Sequence, residues 1–435
     1  MRSSRFVSAA LWLGLSAALL FPGPTPGSLD KKIAAIAAEI APQLIAIRRD
    51  IHEHPELSLQ ETRTAALAAE EFRRLGLEVR TGIGGNGVLA VLRGAKPGPV
   101  VGMRGDMDAL PITEETNLPF ASKAHGVRDG RETGIMHACG HDMHTTILLG
   151  VARVLARLKG ELAGTILFIA QPAEEYGEGA KRMIEDGVFR DIKPEAIFAF
   201  HVDDTITAGR LKFTPGWSAA NVDGFRLAVK SEGCHGANPN LCVDPIVVGA
   251  QIVIGLQVMI ARELDVHRDT VITVGSFHAG AASNIIPRDA VLDATVRTYG
   301  EDQRALVKAK ITRLITAACQ GAGAKFDLSY YFGTPALYND PGLTAEAVAA
   351  ARRVLGNPDL VVEEKPDMGG EDFSVFARAV PSAMLYLGVV PKTGSLGSLH
   401  SPTFVADEDG IPIGVNLMSV FLTDYLRNHP AAGRR

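Results

Sequence analysis

Three short apolar runs, each followed by a side chain that can bind a metal, limit the fold of this chain more than any other feature. The runs and the side chains after them are 100–106 with Asp108, 164–170 with Glu174 and Glu175, and 196–200 with His201. Such runs predict buried strands, and ligands bind outside the carboxyl ends of strands in open α/β sheets. Helical periodicity appears at 59–75, 146–158, 345–355 and 411–426. We therefore predict an α/β fold, in which helices cover a mainly parallel sheet.

Residues 137–144, with the sequence HACGHDMH, concentrate three imidazoles and a thiol in eight positions. Thiolate, imidazole and carboxylate ligands suit borderline divalent ions such as zinc, manganese, cobalt or nickel. Cys139 and His141 are the candidate ligands in this segment, because Gly140 has no side chain and lets both converge on one point. For His137 and His144 a hydrogen-bonded, buried imidazole is an equally good interpretation.

The adjacent carboxylates Glu174 and Glu175 predict a division of roles. On an extended backbone neighbouring side chains point to opposite faces, so one carboxylate would bind the ion while the other acts as general base. A cysteine amidase with Cys139 as nucleophile stays open as an alternative. The sequence contains neither a serine-nucleophile motif with its partner motifs nor His-Glu-x-x-His.

Five motifs in a fixed order give the chain a specific resemblance. They are RGDMDALP (104–111), HACGHDMH (137–144), QPAEE (171–175), MGGEDF (368–373) and LHSP (399–402). In these motifs, and in an opening helix motif from residue 51, the chain resembles the amidohydrolase branch of the aminoacylase/carboxypeptidase G metallopeptidase superfamily. That branch includes hippurate hydrolase, auxin-conjugate hydrolases and N-acyl-amino-acid deacylases.

The resemblance implies a hydrolase with two divalent metal ions per subunit. Carried over position by position, it implies five metal ligands, namely Cys139, His141, Glu175, His201 and His400. It also implies that Glu174 is the catalytic acid/base and that Asp108 is a supporting carboxylate. The expected reaction is attack of metal-bound water on an N-acyl or N-aroyl amino acid such as hippurate, which releases a carboxylate and the free amino acid. A dipeptidase or carboxypeptidase on the same scaffold is the alternative, and the presence of Glu174 argues against an inactive binding protein.

Residues 217–333 predict a separate unit inserted between two parts of the catalytic domain, 29–216 and 334–435. Its elements follow the order βαββαβ of a ferredoxin-like domain. They are predicted as strands 222–232, 270–277, 290–299 and 325–332 and helices 244–264 and 301–322. The apolar run 246–260 favours a packed helix over a membrane span, and the resemblance implies a homodimer formed through this domain.

Three polar residues of the inserted domain are candidates for substrate contact. The segment 231–240, SEGCHGANPN, resembles a family loop whose first histidine helps to stabilise the oxyanion, and His235 fits that role. Cys234 stands where the family usually has glycine. Asn284 and Arg297 resemble substrate-contacting positions, and an arginine can grip a free carboxylate with two hydrogen bonds. An ordinary turn residue and a solvated strand-end charge are the structural alternatives for these two.

Composition and the N-terminus indicate an exported enzyme. The 435 residues carry a formal net charge of -5 and lack basic runs interleaved with aromatics, so we expect no nucleic-acid partner. Arg2 and Arg5 precede an apolar run that ends in a proline-rich stretch, as in a signal peptide within residues 1–28. We predict a periplasmic or extracellular location, with an uncleaved membrane anchor as the alternative.

The four cysteines are too few for a disulfide framework in a chain of this size. Cys234 and Cys242 lie close enough in sequence to close a short loop. Two unpaired small core residues are an equally good interpretation, and Cys319 stays unpaired in either case.

Overall fold

The computed structural model describes residues 27–392 and 397–429. The predicted signal peptide or anchor therefore lies almost wholly outside the described residues. The helices are α1 (Ser28–Glu53), α2 (Thr62–Arg74), α3 (His141–Arg157), α4 (Gly179–Glu185), α5 (Pro245–Glu263), α6 (Glu301–Ala322), α7 (Pro341–Leu355), α8 (Phe373–Ala379) and α9 (Gly410–Asn428). The strands are β1 (Glu78–Ile83), β2 (Gly87–Arg93), β3 (Lys96–Asp106), β4 (His125–Arg128), β5 (Arg131–Gly134), β6 (Ala163–Gln171), β7 (Ala196–Thr207), β8 (Leu211–Phe213), β9 (Gly216–Ala219), β10 (Asn221–Lys230), β11 (Cys234–His235), β12 (Thr270–Ala279), β13 (Ile285–Ile286), β14 (Asp289–Thr298), β15 (Lys325–Phe332), β16 (Leu337–Asn339), β17 (Val361–Glu363) and β18 (Ser382–Val390).

An eight-stranded sheet in the order β1-β2-β6-β3-β7-β18-β8-β17 forms the centre of the catalytic unit. The four central strands, β6, β3, β7 and β18, run parallel to one another. Their apolar sequences are buried because helices cover both faces, with α1, α3 and α9 on one side and α4 and α8 on the other. The predicted fold class is confirmed.

The helix periodicity predicted from sequence marks the observed helices, but their first residues differ. Helix α3 begins at His141, five residues before the start of the predicted periodic segment. Helix α1 was not predicted, although its buried residues Ile33, Ala37, Ile40 and Leu44 recur every three or four positions. It packs against α3 and α9.

A four-stranded antiparallel sheet in the order β12-β14-β10-β15 forms the second unit. Helices α5 and α6 pack on it and share its core, which gives the predicted βαββαβ arrangement. A short two-stranded antiparallel sheet of β11 and β13 was not predicted. The predicted boundary at 216–217 falls at the start of β9. This strand pairs with β16, which begins shortly after the other predicted boundary, at 333–334.

Helix α5 is the one described helix that is long and apolar enough to cross a membrane by length and composition. One of its faces, with Val248, Ile252, Leu256 and Met259, is buried in the core of the smaller sheet. The opposite face leaves apolar residues such as Ile254 exposed. The structure therefore agrees with the predicted packed helix.

Candidate active site

A left-handed glycine at the start of α3 shapes the segment 137–144. Gly140 has a φ of 80° and is the N-cap of the helix. A Cβ atom at this position would lie 2.5 Å from Cγ2 of Val202 on β7, so the close approach of β7 also requires glycine. The glycine thus brings Cys139 and His141 against the strand that carries His201.

The five predicted ligands converge beside the carboxyl ends of β3 and β6, next to β7, which continues past His201 to Thr207. Sγ of Cys139 lies 3.4 Å from Nε2 of His201 and 3.3 Å from Nε2 of His400. Oε1 of Glu175 lies 3.5 Å from Nε2 of His400 and 3.9 Å from Nε2 of His141. Residues from four separate segments of the chain therefore direct sulfur, nitrogen and oxygen donors into one volume.

The hydrogen bonds around the candidate metal ligands leave the lone pairs of the ligand atoms free. Nδ1 of His141 bonds to the Asp108 carbonyl oxygen at 2.8 Å, and Nδ1 of His201 bonds to the Val202 carbonyl oxygen at 2.7 Å. A carbonyl can only accept, so both rings carry the proton on Nδ1 and present Nε2 as a lone pair. Nε2 of His141 and Oε1 of Glu175 are buried without a hydrogen-bond partner among the described residues. Because buried polar atoms are normally paired, this donor set fits a bound transition metal.

Asp108 supports this arrangement from the end of β3. Its carboxylate accepts hydrogen bonds from Ser58 Oγ at 2.6 Å, from the Glu174 amide at 3.1 Å and from the Glu175 amide at 3.0 Å. Burial opposes ionisation of Asp108, but the hydrogen bonds from His141 and Ser58 favour the ionised form, and its pKa lies below the ordinary value. One buried carboxylate thus orients His141 and the loop that carries both glutamates.

The prediction that Glu174 and Glu175 point to opposite faces is wrong. Ala173 has a positive φ of 53°, and the Gly177 amide donates to the Glu174 carbonyl oxygen at 2.6 Å, so the segment is a tight turn and not a strand. Glu174, Glu175 and His141 each offer a ligand atom, and these atoms lie within 4.8 Å of one another. The turn therefore directs both carboxylates to the same side.

A second buried carboxylate, Glu61, holds this turn in place. It accepts hydrogen bonds from the amide of Ala173 at 2.8 Å and from the side chain of Asn86 at 3.1 Å. Burial and the charge of Asp108 raise the pKa of Glu61 to about 7. The sequence alone did not indicate this role of Glu61.

Arg104, whose role the sequence did not indicate, is a buried cation behind the site. Its Nε donates to Oε1 of Gln171 at 2.8 Å, and its Nη2 donates to Oε1 of Glu371 at 2.9 Å and to Oδ1 of Asp372 at 3.2 Å. The Asp372 amide in turn donates to Oε1 of Glu174 at 3.4 Å. The signal in the sequence was an arginine inside an apolar strand, since a buried charge is almost always paired.

The environment of Glu174 favours its protonated form. Burial, together with the charges of Glu371, Asp372 and Glu175, raises the pKa of Glu174 well above its ordinary value. A raised pKa lets a carboxyl group accept and return a proton near neutral pH.

The environment of Cys139 disfavours a cysteine nucleophile. Burial and the charge of Glu175 raise the pKa of the thiol well above its ordinary value, whereas a nucleophilic cysteine needs a lowered pKa. The neighbouring His201 bonds through Nδ1 to a backbone carbonyl and not to an orienting carboxylate. A cation would deprotonate such a thiol, so the surroundings fit a ligand better than a nucleophile.

The other two histidines of the segment 137–144 are buried and are not among the converging donors. Nδ1 of His144 bonds to Oδ1 of Asp106 at 2.6 Å, and its Nε2 accepts from the Val202 amide at 2.9 Å, so both nitrogens are used. His137 is buried, and neither of its nitrogens has a hydrogen-bond partner among the described residues. Burial lowers the pKa of His144 to about 4 and that of His137 to about 3.

A cavity of about 730 Å³ opens in front of the predicted ligands. The residues that line it include Glu174, Glu175, Cys139, His201 and His400. Its wall continues along β8, where Lys212 forms ion pairs with Asp203 at 3.1 Å and Glu364 at 3.6 Å. Tyr386 and Ser218 add hydroxyl groups 3.4 Å apart. This volume is in the range of sites that enclose a small molecule.

The three predicted residues of the inserted domain have different locations. Arg297 is half-buried and lies beside Gly370, which lines the cavity. Its Nη1 would be 3.6 Å from a Cβ atom placed on that glycine. His235 and Asn284 are exposed beside the two-stranded β11–β13 sheet and line a separate groove. In this conformation they do not line the cavity of their own chain, and their contact with substrate stays a prediction.

An α/β sheet with a metal-binding donor set and a glutamate of raised pKa at its strand ends defines a metal-dependent hydrolase. The chain belongs to peptidase family M20/M25/M40, whose model matches residues 102–424. The predicted superfamily is confirmed.

Similar proteins cover nearly the whole chain. Thermostable carboxypeptidase 1 of Saccharolobus solfataricus is 37% identical over 391 residues, which span 89% of this chain and 96% of the relative. N-acetylcysteine deacetylase of Bacillus subtilis is 36% identical over 378 residues, 85% of this chain and 93% of the relative. A solved structure from Bacillus subtilis, described as a dinuclear metal-binding peptidase of family M20, shares 32% identity with a TM-score of 0.76 and covers 90% of this chain and 99% of its own.

Proposed function

We propose that this protein is an amidohydrolase that cleaves N-acyl or N-aroyl amino acids and uses two divalent metal ions per subunit. The observation that carries the proposal is the convergence of donors beside Glu174, a carboxyl group of raised pKa at the same cavity. The dinuclear site named for a structure that is 32% identical supports the number of ions.

Five side chains would hold the ions, namely Cys139, His141, Glu175, His201 and His400. When bound, such ions supply activation of a water molecule and polarisation of the scissile carbonyl group. Mixed sulfur, nitrogen and oxygen donors suit manganese, zinc, cobalt or nickel.

Glu174 performs the proton transfers in this proposal. As a carboxylate it takes a proton from the attacking water, and as a carboxyl group it later delivers that proton to the nitrogen of the leaving amine. The Asp372 amide orients one carboxylate oxygen of Glu174, and burial together with the nearby charges of Glu371 and Asp372 raises its affinity for the proton. His235 donates to the developing oxyanion once it reaches the cavity.

Arg297 is our candidate for recognition of the amino-acid half of the substrate. Its guanidinium lies beside Gly370, which lines the cavity, and its side chain donates to the Thr295 hydroxyl. The nearby carboxylate of Asp223 pairs with Arg304 instead, so the charge of Arg297 is available for a substrate carboxylate. Asn284 is the second candidate for such contact.

The names of two relatives favour different substrates. N-acetylcysteine deacetylase acts on an N-acyl amino acid, and carboxypeptidase names the alternative, which is cleavage of peptides. We favour N-acyl amino acids, since the five sequence motifs resemble the amidohydrolase branch.

We also propose a homodimer and an exported location. The exposed apolar residues Ile254 and Val258 of α5 and the free edge strand β12 support an interface on the inserted domain. The charged start and apolar run of residues 1–28 support export. Analytical ultracentrifugation and cell fractionation test these two proposals.

Substitution of Glu174 by Gln tests the mechanism. We expect turnover of hippurate or N-acetyl amino acids to fall by at least about 100-fold while the bound metal, measured by elemental analysis, is retained. Glu185→Gln, on the exposed surface of α4, is the matched control and should leave turnover unchanged.

Unchanged turnover in Glu174→Gln would refute its role as acid/base. Loss of metal together with turnover would instead make Glu174 a ligand. A chelator should abolish activity and added metal should restore it, and a preference for free dipeptides over N-acyl amino acids would favour the alternative function.

A further inference from the structure

A disulfide bond closes the loop that carries His235. Cys234 and Cys242 are bonded, with their Cα atoms 6.0 Å apart, and the enclosed loop connects β10 to α5. The pairing that the sequence left open is therefore present. Because Cys234 immediately precedes His235, the covalent link acts directly on the backbone of the predicted oxyanion donor.

Without the disulfide, few contacts hold the backbone of His235. The strand β11 has two residues, paired as Cys234 with Ile286 and His235 with Ile285. The Gly236 amide donates to the Asn284 carbonyl oxygen at 2.8 Å, and the Asn238 amide donates to the His235 carbonyl oxygen at 2.9 Å within the same loop. A two-stranded sheet of this length is marginal on its own in water.

The other end of the disulfide is attached to a rigid element. Cys242 lies two residues before Asp244, the N-cap of α5, whose side chain accepts from the Ile246 and Val247 amides. The Ser231 hydroxyl donates to the Val243 carbonyl oxygen at 2.6 Å and ties this end to β10. The bond therefore connects His235 to a long helix that packs in the domain core.

The loop also sets the tautomer of His235. The Ala237 amide donates to Nδ1 of His235 at 3.0 Å, so the neutral ring carries its proton on Nε2. The side chain is exposed, and Nε2 is the nitrogen left to donate outward. A neutral imidazole with a free Nε2–H is suited to bind a developing oxyanion.

We propose that the Cys234–Cys242 disulfide is a positioning element for His235, and this inference rests on the proposed role of His235. By closing the loop, the bond limits the conformations of the β11 backbone and keeps Nε2–H in the orientation that the transition state requires. Cys234 and Cys242 are positioning residues that act through His235.

A double-mutant cycle tests the proposal. The changes are Cys234→Ser with Cys242→Ser, His235→Ala, and all three together, and the readouts are kcat and KM for hippurate with metal-loaded enzyme. Removing the disulfide should lower kcat by about 10-fold with little change in KM. This loss is smaller than the loss of about 100-fold in rate that a 1 Å misplacement can cause. In the His235→Ala background the same removal should have no further effect on kcat.

Two controls separate positioning from stability. Cys319→Ser places a hydroxyl in the buried core of the same domain, so it should lower the melting temperature without lowering kcat. Cys242→Ala alone opens the same loop and replaces the double variant if that variant does not fold. Alkylation of the denatured, unreduced protein followed by mass spectrometry should label Cys139 and Cys319, and labelling of all four cysteines would overturn the proposal.

The outcomes distinguish the two claims. An unchanged kcat without the disulfide, while His235→Ala is impaired, overturns the positioning role and leaves the proposed role of His235 intact. An equal loss in both backgrounds also overturns it, because the bond would then act on the domain in general. No effect of His235→Ala removes the proposed role of His235 and, with it, the positioning role.

Discussion

Replacement of Arg104 by methionine should destabilise the protein strongly although the new side chain is similar in length. The guanidinium is fully buried and contacts the carboxylates of Asp106, Glu371 and Asp372. Methionine would leave these carboxylates buried without their shared cation. Removal of one partner of a buried ion pair lowers the free energy of unfolding by about 3–5 kcal/mol. At about 2 °C or more per kcal/mol in large domains, the melting temperature should fall by at least about 6 °C.

The pH dependence of this effect has a definite sign. Burial would raise the pKa of Asp106, but the charge of Arg104 outweighs burial, and the pKa lies well below its ordinary value. A lowered carboxyl pKa contributes stability that is present above the unfolded pKa and is lost as pH falls through the folded pKa. The difference between the wild type and Arg104→Met should therefore be largest near neutral pH and shrink below about pH 4.

Differential scanning calorimetry with chelator present measures the effect without a contribution from metal binding. Arg93→Met is the matched control, because Arg93 is also paired with a carboxylate, that of Glu78 at 2.9 and 3.2 Å, but on the exposed surface. Exposed pairs contribute at most about 1 kcal/mol, so this melting temperature should fall by less than about 4 °C. If Arg104→Met shifts the melting temperature no more than Arg93→Met does, Arg104 does not compensate the buried carboxylates.

Two further substitutions test the backbone and the carboxylate that support the site. Gly140→Ala should cost about 1–2 kcal/mol for the left-handed backbone and should also weaken metal binding, because its Cβ would lie 2.5 Å from Cγ2 of Val202. The control Gly130→Ala has a similar φ of 75° but no atom within 4 Å, so equal metal affinity of the two variants in a metal titration would contradict the clash. Asp108→Asn should lower metal affinity by about 10–100-fold in a competition assay with a chelating dye, since it weakens the support of a ligand histidine and of both glutamate amides. Wild-type affinity in Asp108→Asn would remove its supporting role.

The location of the site followed from local sequence, but its internal geometry did not. The apolar run before Asp108 predicted the end of β3, because a strand's burial pattern is local. The run 196–200 was predicted to end at His201, but β7 continues to Thr207. The mutual orientation of Glu174 and Glu175 was predicted wrongly, since it depends on a left-handed Ala173 and on amide donation to a carboxylate 66 and 67 residues away. Contacts at that separation leave no periodic signal in the chain.

By itself, the sequence determined which elements form and which side chains are chemically able to bind a metal, because backbone period and side-chain chemistry belong to each short segment. Only the tertiary structure decided that Arg104 shares its charge with carboxylates up to 268 residues away, that Cys234 bonds to Cys242, and that His235 lies outside the cavity of its own chain. These outcomes depend on the distances between segments, and packing of the whole chain sets those distances.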